Sequence, residues 1–265
     1  WTSATLPHTA RIEPRVVNDQ WQGIAFYSKR FEAPADWRGQ VVLLRFEGAM
    51  NVATVWLNGR QVARHLGGYL PFTIDLSPAL RFGTANELLV RLDNRDNPIT
   101  GPKPLKDLDF NMYGGLYRDV RLIVKPPVHL TDAMLENKAA GGGLFVTYPQ
   151  VSKDRAVVRV AADVRNSLPN WVLVSVEQKL MDGDREVARD LKMERVEARS
   201  TRTFVTDLAV SHPKLWSPQS PNLYRLVTTV SRPELTADST ETRIGIRRIG
   251  IDGNRFVING DTMLL

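Results

Sequence analysis

Hydrophobic residues recur along this chain with the two-residue spacing of β-strands. No window of about 11 residues keeps an apolar stripe at helical spacing, whereas alternating or wholly apolar runs recur throughout. In the run 158–165, every even position is apolar and three of the odd positions are charged, as in a strand with one buried face. The pattern predicts an all-β protein.

Turn residues divide the first half of the chain into short strands. The strongest turn signal is Asn58-Gly59, because both central residues of a type I′ hairpin turn need a positive φ. Short strands at this spacing predict a jelly roll or a similar two-sheet β-sandwich over residues 1–126. The predicted strands are 25–31, 41–47, 52–57, 61–65, 73–76, 87–93 and 119–124.

Pro126 and Pro127 mark a predicted boundary, because proline cannot donate a hydrogen bond to a β-ladder. The six or seven short strands that follow predict an immunoglobulin-like sandwich over 127–246, here without cysteine. Residues 247–265 predict further hairpins that turn at Asp252-Gly253 and Asn259-Gly260. In the second sandwich, strands are predicted around 158–165 and at 172–180, 186–189, 201–208, 223–231 and 241–246.

Charge and hydropathy limit the classes of partner that we expect this chain to bind. The chain has 35 Lys and Arg against 29 Asp and Glu, a formal charge of +6. These basic residues are scattered along alternating strands, so we do not expect a nucleic-acid partner. No run approaches the roughly 18 apolar residues of a membrane span, so we expect no membrane segment.

The four histidines are too widely spaced to pair as metal ligands. They are His8, His65, His129 and His212.

Asp107 and Asp109 are the best-spaced carboxylate pair for glycosidase chemistry, which needs two such groups. They lie in a segment rich in Pro and Lys, where acidic residues commonly stabilise turns, so we interpret them as loop or ligand-contact residues. Several aromatic residues in or beside predicted loops could stack on sugar faces or simply pack. These are Trp21, Tyr69, Phe110, Tyr113 and Tyr117; Trp216 is interpreted as a structural corner.

Seven segments, in this order, resemble glycoside hydrolase family 2. They are LPHT (6–9), GIAFYSKRF (23–31), VWLNGRQVARHLGGYLPFTIDLS (55–77), NELLVRLDN (86–94), DFNMYGGLYRDVRL (109–122), LWSPQSPNLYRL (215–226) and GIRRIGIDGNRFVINGD (245–261). The resemblance implies a jelly-roll, galactose-binding-like domain that binds sugar, an immunoglobulin-like domain, and leader strands (247–265) into an (α/β)₈ barrel that carries both catalytic glutamates. We therefore expect no catalytic residue in this chain.

Two features of the sequence bear on that expectation. Asn86-Glu87 matches the family's acid/base dipeptide, but it opens a predicted strand of the first domain, so we reject it as catalytic. The apolar end of the chain, residues 263–265, predicts a strand cut off before its partner, because natural ends are usually polar. A free-standing module would end near Ile246. We therefore expect the chain to be part of a longer enzyme.

The resemblance also implies candidate binding residues. In the family's galactosidases and glucuronidases, an acidic residue before the aromatic, Gly and Arg motif reaches the barrel's active site, which here implies Asp109, with Asp107 as second choice. Asn111 and Tyr113 are further candidates, although they depart from the pattern of individual members. Asp109 would accept hydrogen bonds from sugar hydroxyls and help to ligate a monovalent cation. We expect no cofactor in this chain, and Na⁺ or Mg²⁺ in the full-length enzyme.

The leading interpretation is the non-catalytic amino-terminal region of a retaining β-galactosidase, which cleaves terminal β-galactosides. A β-glucuronidase or β-mannosidase is the near alternative, since the distinguishing residues lie in the barrel. A free-standing carbohydrate-binding module is the alternative from another class. The expected partners are a β-galactoside, the chain's own barrel and, for the full-length enzyme, further copies of itself. Family habit favours a periplasmic or secreted location.

Overall fold

The computed structural model describes residues 1–11, 21–101, 113–233 and 235–263. The chain divides into two compact units, Trp1–Lys125 and Pro126–Leu265. Within the described residues, the helices are a 3₁₀ turn, Ala35–Trp37, and a single-turn α-helix, Ala133–Glu136. The prediction of an all-β protein is confirmed. No helix of the described ranges is long and apolar enough to cross a membrane.

The first unit is a jelly-roll sandwich of two antiparallel sheets. Its strands are β1 (Ile24–Ala33), β2 (Val41–Phe46), β3 (Val52–Leu57), β4 (Arg60–Leu66), β5 (Phe72–Asp75), β6 (Thr84–Asp93) and β7 (Val120–Lys125). One sheet has the order β1-β6-β3-β4 and the other the order β5-β2-β7. Every strand predicted for this half of the chain is present.

The inner faces of both sheets form one apolar core. Val55 and Leu57 of β3 and Phe46 of β2 are fully buried members of this cluster. Asn58 and Gly59 join β3 to β4 with φ values of 54° and 81°, which confirms the predicted type I′ turn. Burial of alternate residues and this turn together fix the register, because a slip by one residue would expose the apolar face.

The second unit begins with an immunoglobulin-like sandwich. Its strands are β8 (Val128–Leu130), β9 (Leu144–Val151), β10 (Arg155–Asn166), β11 (Val172–Asp182), β12 (Arg185–Val196), β13 (Thr201–Ser211), β14 (Tyr224–Arg232) and β15 (Leu235–Ile244). In one sheet β10 pairs with β13 on one side and with β8 and β9 on the other. The second sheet has the order β12-β11-β14-β15.

A buried tyrosine marks this sandwich as immunoglobulin-like. Tyr224 opens β14 and is 3% exposed, and its hydroxyl accepts a 2.7 Å hydrogen bond from the backbone N–H of Lys214. A tyrosine at this corner that bonds the chain a few residues upstream is a hallmark of immunoglobulin-like domains. Hydrophobic periodicity does not predict this bond, because the bond forms at a corner between strands and not within a repeating strand pattern.

Four strands of the second unit differ from the prediction. β8 and β9 were not predicted, β12 extends well beyond the predicted 186–189, and β15 begins at Leu235 rather than at the predicted 241. β9 contains Pro149 and is partly exposed along most of its length, and β12 is an edge strand with charged residues on both faces. Edge strands tolerate proline and charge, so they lack the alternation that identifies a half-buried strand.

The end of the chain forms a small third sheet within the second unit. Its strands are β16 (Ile249–Asp252), β17 (Arg255–Ile258) and β18 (Asp261–Met263). Turns at Gly253 and at Asn259-Gly260 have positive φ, as the predicted hairpins require. Trp216 connects this sheet to the sandwich: its backbone N–H donates to Ile246, and its carbonyl accepts from Asn259 Nδ2 at 3.0 Å. Trp216 is therefore a structural corner.

Candidate functional site

One end of the jelly-roll unit carries the loops that flank the segment 102–112. Val52, the first residue of β3, pairs with the last residue of β6, Asp93, and with the last residue of β4, Leu66. The chain therefore leaves β4 and β6 and enters β3 at the same end of the sandwich. We call this end the loop platform and define it as residues 7–10, 48–51, 66–70, 94–101 and 113–117.

Three of the predicted substrate-binding residues, Asp107, Asp109 and Asn111, lie outside the described residues. Tyr113 is described. It lies half-buried on the loop platform, where it lines a shallow cavity of about 240 Å³ together with Pro7, His8, Thr9 and Tyr117. The platform thus contains the point at which the chain returns from the segment that holds the predicted carboxylates.

Asn51 fixes the point at which the chain enters this segment. Its side chain is 1% exposed, and Nδ2 donates hydrogen bonds of 2.7 Å to both Thr100 Oγ1 and the carbonyl of Gly101. Asn97 adds an Asx turn, with its Oδ1 accepting from the backbone N–H groups of Ile99 and Thr100 at 3.1 and 3.0 Å. The backbone up to Gly101 is therefore held by the buried side chain of Asn51 and the half-buried side chain of Asn97.

Gly115 fixes the point at which the chain leaves the segment. It exchanges two backbone hydrogen bonds with Met50, of 3.0 and 3.3 Å. Its φ is +123°, and a Cβ at this position would lie 2.6 Å from both the carbonyl of His8 and the hydroxyl of Tyr27. Only glycine accommodates this backbone angle together with such a close approach.

The amino-terminal LPHT segment forms a second layer over the same exit point. The backbone N–H of His8 donates to the carbonyl of Leu116 at 2.7 Å, and Thr9 Oγ1 donates to the carbonyl of Gly114 at 2.6 Å. His8 Nδ1 and the hydroxyl of Tyr27 form a further hydrogen bond of 2.9 Å. Periodicity could not identify this role, because Thr9 and Gly114 are 105 residues apart.

Asn94 ties the platform to the start of the first strand. It is 4% exposed; its Oδ1 accepts from the backbone N–H of Gly23 at 2.7 Å, and its Nδ2 donates to the carbonyl of Trp21 at 3.0 Å. A Cβ at Gly114 would lie 2.5 Å from Nδ2 of Asn94. Gly114 is therefore required because a side chain there would clash with Asn94. A side chain at Gly115 would clash on the other side, with His8 and Tyr27.

The structure brings the described loop aromatics, Trp21, Tyr69, Tyr113 and Tyr117, to this platform. The Tyr117 hydroxyl donates to the carbonyl of Gly68 at 2.5 Å, which gives it a structural role. Tyr69 is 57% exposed. Partial burial, and then the nearby Tyr117, raise the pKa of Tyr69. Tyr69 is therefore the aromatic of this group best placed to meet a ligand.

The carboxylate at the end of β6, beside the platform, is already neutralised by ion pairs. Asp93 binds Arg95 at 2.7 Å and Arg91 at 2.9 Å, and hydrogen bonds from Arg95 are the main reason that its pKa falls to about 2. Asp93 therefore stays ionised and cannot act as a proton donor near neutral pH. In the described parts of the chain, no three His, Cys, Asp or Glu side chains cluster as metal ligands.

Asn86 and Glu87 lie at the other end of β6, far along the strand from the platform. Asn86 is 1% exposed, and its Oδ1 accepts from the N–H of Arg81 at 2.9 Å and from Asn58 Nδ2 at 2.8 Å. Glu87 is exposed. This pair is a strand and turn element, which agrees with its rejection as an acid/base dipeptide.

Family models match most of the chain. The model described as "Glycosyl hydrolases family 2, sugar binding domain" matches residues 2–126, and the model described as "Glycosyl hydrolases family 2" matches residues 143–247. The chain belongs to glycosyl hydrolase family 2. The first match covers the jelly-roll unit and the second covers most of the immunoglobulin-like sandwich, so the loop platform lies within the family's sugar-binding domain.

This family 2 chain is similar to proteins that are named for two different activities, β-galactosidase and β-glucuronidase. A β-galactosidase of Bacteroides ovatus is 30% identical over 98% of this chain and 30% of its own length. A β-glucuronidase of Formosa agariphila is 27% identical over 94% of this chain and 26% of its own length. A crystal structure of Bacteroides uniformis β-glucuronidase superposes with a TM-score of 0.85 at 30% identity, covering 98% of this chain and 31% of that one. The chain thus spans about a third or less of these relatives.

Proposed function

We propose that this chain is the amino-terminal region of a retaining β-glycosidase, and that its segment 102–112 reaches the sugar bound in the active site of a downstream catalytic barrel. The chain would supply scaffold and a sugar contact, while the two catalytic carboxylates of the retaining mechanism would come from the barrel. The chain by itself would be inactive. Its share of the length of its relatives supports this division of roles.

The observation that carries the proposal is the double anchoring of the segment. Asn51 holds its entry at Gly101, and Met50, the preceding residue, pairs with Gly115 at its exit. The two residues that directly precede β3 therefore hold both ends of the segment 102–112. A catalytic or binding group must be held close to its productive geometry, and a loop fixed on a rigid scaffold meets this requirement.

Within the segment, we propose Asp109 as an acceptor for sugar hydroxyls, with Asp107, Asn111 and Tyr113 as further contacts. A carboxylate accepts hydrogen bonds from hydroxyls at both oxygens and can also ligate a hard cation such as Na⁺ or Mg²⁺. Exposed Tyr69 offers a ring on which a sugar face could stack.

A terminal β-galactoside is the substrate that we propose first. A β-glucuronide is the second candidate, because β-glucuronidases stand beside β-galactosidases among the similar proteins. The two sugars differ at C6, where a glucuronide carries a carboxylate, and in the configuration of the C4 hydroxyl, so an assay on both glycosides decides between them.

The test compares this 265-residue chain with the full-length protein on nitrophenyl β-galactoside, β-glucuronide and β-mannoside. We expect turnover only by the full-length protein, and the highest kcat/KM on the galactoside. In the full-length protein, Asp109→Ala should lower kcat/KM at least about 100-fold (roughly 3 kcal/mol) while leaving Tm nearly unchanged. Asp96→Ala, an exposed platform acid, is the matched control and should leave both unchanged. Turnover by the chain alone, or equal effects of the two substitutions, would contradict the proposal.

A further inference from the structure

A polar layer crosses the middle of the core of the immunoglobulin-like sandwich. Gln178 of β11 and Thr228 of β14 are 0% exposed, and Thr206 of β13 is 1% exposed. Each of them separates a residue of one buried apolar cluster from a residue of another. These flanking pairs are Val176 and Leu180 on β11, Phe204 and Leu208 on β13, and Leu226 and Val230 on β14. The three polar side chains therefore lie at the same level of the core.

Their hydrogen bonding is incomplete. Thr228 Oγ1 donates to Gln178 Oε1 at 2.6 Å, which joins two neighbouring strands of one sheet. Gln178 Nε2 and Thr206 Oγ1 are both buried and have no hydrogen-bond partner among the described residues. Buried polar groups in native proteins are almost always satisfied, either by protein atoms or by an ordered water.

The backbone cannot supply the missing partners. Gln178 lies within the ladders that β11 forms with β12 and β14, and Thr206 lies within the ladder between β13 and β10. The residues above and below the layer are apolar and offer no donor or acceptor. The unused groups can therefore be satisfied only by each other or by a small polar molecule between them.

We propose that one buried water molecule binds in this layer, accepting a hydrogen bond from Gln178 Nε2 and forming a second with Thr206 Oγ1. A buried water needs two to four polar partners, and the layer supplies amide and hydroxyl groups at one level of the core. The layer's three side chains include no carboxylate or imidazole, so their chemistry suits water rather than a metal ion.

The consequence is a link between the two sheets. Gln178 belongs to the sheet β12-β11-β14-β15, whereas Thr206 belongs to the sheet that contains β10 and β13. Apolar packing between the sheets is non-directional, and a water bonded to both sheets adds a directional link at one level of the core. The site therefore helps to specify how the two sheets pack, independently of any sugar chemistry.

The test is a crystal structure of the whole chain at a resolution that shows ordered water, with three variants. We expect a water peak at hydrogen-bond distance, about 2.7–3.2 Å, from both Gln178 Nε2 and Thr206 Oγ1. Thr206→Ser keeps the hydroxyl and should keep the peak, while Thr206→Val should lose it. Thr201→Val, at an exposed position of the same strand, should leave it in place.

A direct hydrogen bond between Gln178 and Thr206 with no water peak would overturn the proposal. A peak that survives in Thr206→Val would also overturn it, because the water would then have other partners. If Thr206→Val does not fold, the wild-type and Thr206→Ser structures still decide between these outcomes.

Discussion

The jelly-roll unit and the immunoglobulin-like unit both hold loops with buried polar side chains, but they differ in what those loops flank. In the jelly-roll unit, the buried asparagines Asn51, Asn86 and Asn94 hold turns and loops at the ends of strands. In the immunoglobulin-like unit, pairs such as Arg159 and Asp207, 2.7 Å apart, join neighbouring strands on exposed faces. This unit also has a buried asparagine that holds a loop: Asn166 Nδ2 donates to the carbonyls of Asn170, Val196 and Glu197. The segment 102–112, however, begins and ends in the jelly-roll unit, at loops held by Asn51 and Met50.

The difference lies in position, since the held loops of the jelly-roll unit adjoin the segment that we propose for sugar binding. Cross-strand pairs contribute only about 0.2–1 kcal/mol each and specify little beyond the pairing of strands. A buried asparagine that bonds a loop backbone costs more to order and fixes one conformation of that loop. Asn51 and Asn94, together with the close approach of the backbone at Gly114 and Gly115, therefore mark the loop platform as the candidate site.

The largest effect that would test this contrast comes from Gly115→Ala. The substitution combines an unfavourable positive φ with a Cβ only 2.6 Å from two oxygen atoms, so we expect the free energy of unfolding of the jelly-roll unit to fall by about 3 kcal/mol or more. Gly59→Ala is the control, because Gly59 also has a positive φ but has open space around its Cβ position.

The control should cost only about 1–2 kcal/mol, the cost of the left-handed backbone alone. Urea unfolding of the whole chain, followed by tryptophan fluorescence, measures both values. Equal losses in the two variants would show that the close packing at the loop exit contributes nothing, and the platform would then lose its distinction from an ordinary turn.

A smaller effect concerns acid stability. The folded-state pKa of Asp93, about 2, lies below the unfolded value of about 3.9, so ionised Asp93 stabilises the fold above about pH 4. This contribution is lost as the pH falls from about 4 to about 2. We expect it to be about 1 kcal/mol, less than the full shift implies, because the partner Arg95 is 57% exposed and screened by solvent.

Asp93→Asn should remove this component, so that the urea midpoint of the jelly-roll unit changes less between pH 4 and pH 2 than in the wild type. Asp96→Asn removes an exposed carboxylate of the same platform and serves as the control for net charge. An unchanged acid dependence in Asp93→Asn would indicate that the ion pairs around this residue do not stabilise the fold.

Sequence patterns predicted the parts of the molecule that depend on local chemistry. Alternation and the Asn58-Gly59 turn were sufficient for the jelly-roll strands, because each is set by neighbours a few residues apart. The roles of Asn51 and Thr9 were not predictable in this way, since their bonds to Gly101 and Gly114 span 50 and 105 residues. The length of the edge strand β12 was underestimated, because exposed charges on both of its faces conceal the two-residue period.

The central claim is that the jelly-roll unit positions a loop for sugar binding, and the comparison of Asn51→Ala with Asn86→Ala in the full-length protein tests it most directly. Both asparagines are 1% exposed and lie at opposite ends of the same sandwich, so each substitution should lower the free energy of unfolding by about 2 kcal/mol. We predict that kcat/KM on the preferred nitrophenyl glycoside falls at least about tenfold (roughly 1.4 kcal/mol) in Asn51→Ala alone. The same kcat/KM in both variants would contradict the account.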